Sequence, residues 1–205
     1  YKRQDVNLFG RIGTSRSISK DRPMRYDRQI ILPEIGEEGQ NKLQKAKVLI
    51  VGVGGLGSPI ALYLAGAGVG CLGLVDDDSV SISNLQRQVL YSEEELGKPK
   101  AVCASQRLTS LNSEIETRHY SARLTAENAD RIIQEYDIVV DGCDNFDTRY
   151  LINDICIKQG KPYVYGAICG FEGQVSVFNY GNRKKSYRDL YPDEEEMKRM
   201  SPPSK

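Results

Sequence analysis

Gly52-Val53-Gly54-Gly55-Leu56-Gly57 is a loop in which backbone can come close to a phosphate, because glycine has no Cβ and reaches left-handed dihedrals. The same spacing also serves as a plain strand-to-helix connection, so context decides. Here an apolar run, Lys47-Val-Leu-Ile-Val51, precedes the loop, a helical pattern follows it, and the acidic run Asp76-Asp77-Asp78 stands about 20 positions later. That pattern points to a nucleotide whose phosphates sit on the helix N-terminus and whose ribose hydroxyls donate to Asp76. Asp78 is a second candidate in that run, and Asp77 is the bystander.

Asn84, Arg87 and Gln88 follow at i, i+3 and i+4. If they form a helical turn, capped by Ser83 or Ser81, they face one way. An arginine there forks onto phosphate oxygens. Lys100 stands at an expected helix start, where a cation opposes the helix dipole. That placement suggests an anionic partner nearby, whereas Lys98 reads as an ordinary exposed lysine. Asp141, Asp144 and Asp147 cluster after the apolar Ile138-Val-Val140. Hard carboxylates at a strand end suit Mg²⁺ held through one carboxylate and substrate phosphates, and Asp144 is the best placed. Asp141 is read as a loop cap and Asp147 as first-turn charge. The single histidine, His119, leaves Ser/His or Cys/His catalysis poorly supported. Together these groups suit a triphosphate that reacts, better than the dinucleotide of an NAD-dependent oxidoreductase.

The elements that must hold these residues alternate between strand and helix. Strands are expected at 47–52, 71–76, 115–120, 137–141, 162–167 and 173–179. Helices are expected at 25–45 (broken near Pro33 and Gly36), 58–68, 98–111, 125–135 (capped by Thr125) and 146–159. This is the α/β pattern of a Rossmann-like, doubly wound and mostly parallel sheet with helices on both faces. Gly52, Asp76 and Asp144 all fall at carboxyl ends of strands, so they would line one rim. The organisation expected is a flexible extension over 1–23, an ATP-binding domain over 24–181, and an exposed charged loop or mobile end over 182–205.

Composition narrows the class. Lys+Arg and Asp+Glu both total 28, which argues weakly against a nucleic-acid partner. Five cysteines without a Cys-x-x-Cys pair read as reduced thiols in a cytoplasmic protein. The uncharged stretch Val48–Val75 is punctuated by glycines and Pro59, so it reads as strand, turn, helix and strand and not as a membrane span. No secretory signal is expected at the start, which is polar and basic.

With these residues in view, the chain resembles the ThiF/MoeB/HesA family, bacterial relatives of the ubiquitin-activating enzymes. The resemblance rests on Arg25-Tyr-Asp-Arg28-Gln-Ile-Ile-Leu32, the glycine loop, Ala65-Gly-Ala-Gly-Val-Gly70, Asp76-Asp-Asp78, Ser83-Asn-Leu-Gln-Arg-Gln88, Gly97-Lys-Pro-Lys100, Asp144-Asn-Phe146 and Gly173-Gln-Val175. It implies an adenylyltransferase in which the C-terminal glycine carboxylate of a ubiquitin-like sulfur-carrier protein attacks the α-phosphate of ATP. It assigns Asp76 to ribose, Asn84, Arg87, Gln88 and Lys100 to phosphates, Asp144 to Mg²⁺ and catalysis, and Arg28 to the ATP site of the partner in a homodimer. Many relatives carry two Cys-x-x-Cys pairs for zinc. Ser186 and Asp189 occupy the first pair here and no cysteine follows Cys169, so no zinc site is expected and the chain reads as truncated. The Asp-Asp-Asp run leans toward thiamine synthesis over molybdopterin synthesis. Rival readings are adenylation of a modified tRNA base or a peptide end, and a non-catalytic nucleotide-binding relative.

Overall fold

The computed structural model describes residues 25–200. The expectation for 1–23 lies outside them. Two helices, α1 (Asp27–Ile30) and α2 (Gly36–Lys45), lead into β1 (Lys47–Val51), α3 (Gly57–Ala67) and β2 (Cys71–Val75). Then come α4 (Lys100–Leu111), β3 (Glu116–Tyr120), α5 (Ala129–Ile133), β4 (Ile138–Asp141), α6 (Phe146–Gln159), β5 (Tyr163–Cys169), β6 (Glu172–Phe178), α7 (Tyr187–Leu190) and α8 (Glu194–Met200).

The strands form one sheet in the order β3-β2-β1-β4-β5-β6. Every neighbouring pair is parallel except β5–β6, a hairpin. The α/β, mostly parallel reading therefore holds. β1 and β2 are buried along nearly their whole length, as sheets covered on both faces must be. One apolar cluster, with Ile50, Ala61, Leu72 and Leu108, packs α3 and α4 against one face. The other, with Leu49, Ile133, Val139, Ile152 and Tyr187, packs α5, α6 and α7 against the opposite face. The order of strands reverses between β1 and β4, which opens a crevice beyond their carboxyl ends.

Three boundaries differ from expectation. The helix expected from Lys98 begins at Lys100, because Gly97 takes a positive φ of 79° and Pro99 fills the N-cap. The helix expected from Thr125 begins at Ala129: Thr125 donates its N–H to Asn128 Oδ1 and opens a separate turn. The segment expected as a loop from 182 holds α7 and α8, and Tyr187 is fully buried among Tyr150, Tyr165, Phe178 and Tyr191.

Candidate active site

β1 ends in the glycine loop, and the loop is tied at its centre. The Val53 N–H donates to Asp76 Oδ2 at 2.8 Å, and its carbonyl accepts from the Tyr91 hydroxyl at 2.8 Å and the Ser58 hydroxyl at 3.2 Å. Gly52 has a φ of 85°, which a side chain disfavours. A Cβ at Gly57 or at Gly142 would collide with the Gly52 carbonyl oxygen. Gly52, Gly57 and Gly142 therefore interlock the ends of β1 and β4 with the start of α3. Gly142 carries a role that the sequence reading missed. Its only signal was a glycine directly after a strand.

Asp76 has two jobs in this geometry. Its Oδ2 holds the glycine loop, and its Oδ1 accepts the Asp78 N–H at 2.9 Å. Burial pushes its carboxyl up, against the pull of those two backbone donors. Each oxygen keeps a lone pair for a further donor such as a ribose hydroxyl.

Asn84, Arg87 and Gln88 come to the loop, although not as a regular α-helical face. A 3-10 turn at Ile82–Asn84 leads into consecutive turns, and the Asn84 carbonyl accepts from the Arg87 and Gln88 N–H groups. Ser81 holds the N-cap position, but its hydroxyl pairs with that of Ser83 at 3.0 Å instead of capping backbone. A methyl group at Gly54 would sit 3.5 Å from Gln88 Nε2, and one at Gly55 would sit 3.6 Å from Arg87 Nε. Both side chains thus lie directly over the two middle glycines. Gln88 is buried with its Oε1 unpartnered, while Arg87 is exposed and spends one N–H on the Ser83 carbonyl.

Lys100 is the first residue of α4 and is buried, unlike the exposed Lys98. Its ammonium donates to Asp78 Oδ2 at 2.8 Å, and its backbone N–H donates to the Asp78 carbonyl. The anionic group at Lys100 in this structure is Asp78.

At the end of β4, Asp141 is fully buried and accepts from Cys143 N–H and Tyr163 OH, each at 2.8 Å. Burial pushes its carboxyl up, opposed by the charge of Arg149. It is a loop cap, as expected, and has no free face for metal. Asp147 pairs with Lys198 of α8 at 3.0 Å. Asp144 is exposed and its carboxylate has no protein partner among the described residues, so it remains available as a hard oxygen ligand. That donor fits Mg²⁺ bound jointly with phosphates.

Arg28 is exposed on α1, away from this rim. α1 is fastened at the opposite end of α3: Gln29 Nε2 donates to the Ala67 carbonyl at 3.0 Å, and Tyr26 packs on Gly68, the C-cap of α3. Ser186 and Asp189 are joined as a capping box on α7, with Ser186 N–H and hydroxyl both 2.8 Å from Asp189 Oδ2. No helix among the described residues is long and apolar enough to cross a membrane.

Residues 26–203 match the ThiF family. The chain is 51% identical over 178 residues to the sulfur carrier protein adenylyltransferase of Thermus thermophilus, covering 85% of this chain and 66% of the relative. It is 47% identical over 167 residues to the probable molybdopterin-synthase adenylyltransferase of Porphyra purpurea, covering 82% of this chain and 44% of the relative. The crystal structure of E. coli MccB with ATP is similar in fold, with a TM-score of 0.66 at 31% identity over 72% of this chain and 45% of that one. The chain thus spans less than two thirds of the length of these curated relatives.

Proposed function

The chain belongs to the ThiF family, and from that premise we propose that it adenylates the C-terminal carboxylate of a small ubiquitin-like sulfur-carrier protein. The observation that carries this reading is the packing of Arg87 and Gln88 over Gly54 and Gly55, with a buried Lys100 tied to the same loop through Asp78 and Asp76. Cationic and amide donors crowd the loop that cradles phosphates, which suits the charge of a triphosphate. Relatives named as sulfur carrier and molybdopterin-synthase adenylyltransferases support the same substrate class.

In this reading the glycine loop and the α3 N-terminus receive phosphate oxygens, and Asp76 accepts from ribose hydroxyls. A carboxylate oxygen of the carrier bonds to the α-phosphorus. The bond from that phosphorus to the α–β bridging oxygen breaks, and its electron pair leaves on pyrophosphate. Arg87 and Lys100 bear the charge that builds on the phosphates. Lys100 then exchanges Asp78 for phosphate, or shares itself between them. Asp144 would hold Mg²⁺, which when bound would neutralise phosphate charge. Arg28 belongs to the site of a second copy in a homodimer. Ser186 and Asp189 form a capping box on α7, and the scheme uses no zinc.

The acidic run does not by itself separate thiamine synthesis, toward which its sequence leans, from molybdopterin synthesis. Asp76 and Asp78 act as a loop peg and a lysine partner, duties that do not depend on pathway. The molybdopterin-synthase relative favours that branch instead. Pyrophosphate exchange into ATP, measured with molybdopterin-type and thiamine-type carriers, tests the reading. We expect exchange with one carrier, and calorimetric binding of ATP with Mg²⁺ in preference to NAD. Tighter NAD binding, or no exchange with any ubiquitin-like carrier, overturns it.

A further inference from the structure

Asp144 has no side-chain bond to hold it among the described residues, so its position must come from the residues on either side. On its far side Asn145 caps α6, its Oδ1 accepting the Thr148 N–H at 2.9 Å. On its near side both peptide groups of Cys143 are occupied by one charged pair. Asp141 Oδ1 accepts the Cys143 N–H at 2.8 Å, and Arg149 Nη2 donates to the Cys143 carbonyl at 2.9 Å. The two charges face each other, with Arg149 Nε 3.4 Å from Asp141 Oδ2. That contact is a charge approach and not a hydrogen bond, since Arg149 Nε is left without a hydrogen-bond partner.

A buried ion pair whose only task was stability would favour a bidentate fork. An apolar pair of similar volume would often serve stability as well. This pair gives up the fork and turns one arm of each partner onto the residue before Asp144. The guanidinium is itself held 5.5 Å from the ring centroids of Phe146 and Tyr165, both of which follow the loop in sequence. A lysine could supply the charge but not the planar stacking together with a directed N–H.

We propose that Asp141 and Arg149 form a clamp on Cys143 that sets the Asp144 carboxylate in its working position. Arg149 is then a positioning residue for the adenylation proposed above, on which this inference rests. Both members of the clamp are buried. Its effect is exerted wholly through the backbone on the near side of Asp144.

Two measurements test this. Hydrogen exchange reads the clamp without any reaction. In Arg149→Lys the amides of 142–145 should exchange at least about tenfold faster, while β1 and β2 keep their protection, as expected for local opening. Unchanged protection of the loop overturns the clamp. The second measurement is a double-mutant cycle on pyrophosphate exchange. Arg149→Lys should lower kcat by roughly tenfold or more with KM for ATP within about twofold, and cost under about threefold when Asp144 is already Asn. The same loss in both backgrounds would make Arg149 a structural residue only. If Arg149→Lys does not fold, Asp141→Asn combined with Arg149→Gln removes both charges at once and enters the same cycle. If the wild-type protein shows no exchange with any carrier, the proposed function fails, and the hydrogen-exchange result still decides the clamp.

Discussion

Val53 and Cys143 contribute no reactive group, yet each has its N–H and its carbonyl held by side chains from elsewhere in the chain. Val53 is held by Asp76, Tyr91 and Ser58, and Cys143 by Asp141 and Arg149. Loops between buried strands and helices leave backbone groups that water reaches poorly, and each must find a partner. Using side chains for this fixes the loops before any ligand arrives, which is the condition for electrostatic stabilisation without reorganisation. In the proposed reaction Asp144 acts from such a fixed loop. Asp144→Asn should therefore keep the fold and lower pyrophosphate exchange by at least about a hundredfold, the scale of losing one charge-stabilising group. Exchange within a few fold of wild type would reduce Asp144 to an ordinary loop residue. The residues that could touch nucleotide were legible in the sequence because their chemistry is carried by type and spacing: glycines before a helix, an acid about 20 positions on, an Asn/Arg/Gln triplet. Tyr91, Gly142 and Arg149 were not legible. Tyr91 and Gly142 act on partners that only the closed sheet brings near, and no local pattern marks a tyrosine that will reach Val53 from 38 positions away. Arg149 acts on the nearby Cys143 and Asp141, but an arginine in the first turns of a helix reads as an ordinary surface cation.

At the scale of elements, α6 was readable to the residue, since an Asn cap and a left-handed Gly160 bound it. α7 was not. Four residues cannot hold a helix alone, and a charged, proline-flanked segment reads as loop. What holds α7 is tertiary: Tyr187 is buried, its N–H donates to Asn153 of α6, and Arg188 reaches both neighbouring helices. Arg188 bridges Asp154 of α6 at 2.7 Å and Glu194 of α8 at 2.8 Å. The Arg188 hydrogen bond holds the Asp154 carboxyl below its ordinary value. Lys198 first, and Arg188 with it, does the same for Glu194. A carboxyl whose pKa is depressed by folding adds stability above its unfolded value and loses that contribution as pH falls through the folded one. The stability gap between wild type and Arg188→Ala should thus be level above about pH 5 and shrink below about pH 4, as the two carboxylates protonate. It should also narrow in high salt, because these side chains are partly exposed. Urea unfolding across that range reads it. A gap that ignores pH would mean that Arg188 works through its stacking on Tyr150, 4.8 Å from the ring centroid.

At the scale of the whole molecule, the distribution of groups along α3 carries the argument. Its N-terminus meets the glycine loop and its C-terminus holds α1 with Arg28. Its 11 residues separate the two by about 16 Å at 1.5 Å per residue. Arg28 is thus seated at the far end of the helix whose start is proposed to receive phosphate, which argues against its serving its own site. Ile31 and Leu32, just after it, are exposed at 64% and 47%, apolar surface of the sort that a second copy covers. In the proposed two-fold dimer each arginine would cross to the other site, and the contact would be made twice. An arginine that acts on transition-state charge affects turnover more than folding. Arg28→Ala should then give a folded dimer with weak adenylation. Mixing it with an Asp144→Asn dimer and allowing subunits to exchange should restore activity. Each mixed dimer would hold one site with both defects and one site with neither, so activity should approach about half the wild-type level per mixed dimer if the two sites act independently. Labelled subunits confirm the exchange separately. If exchange is complete and activity stays at the level of the parents, Arg28 acts within its own chain, and the site is built from one subunit alone.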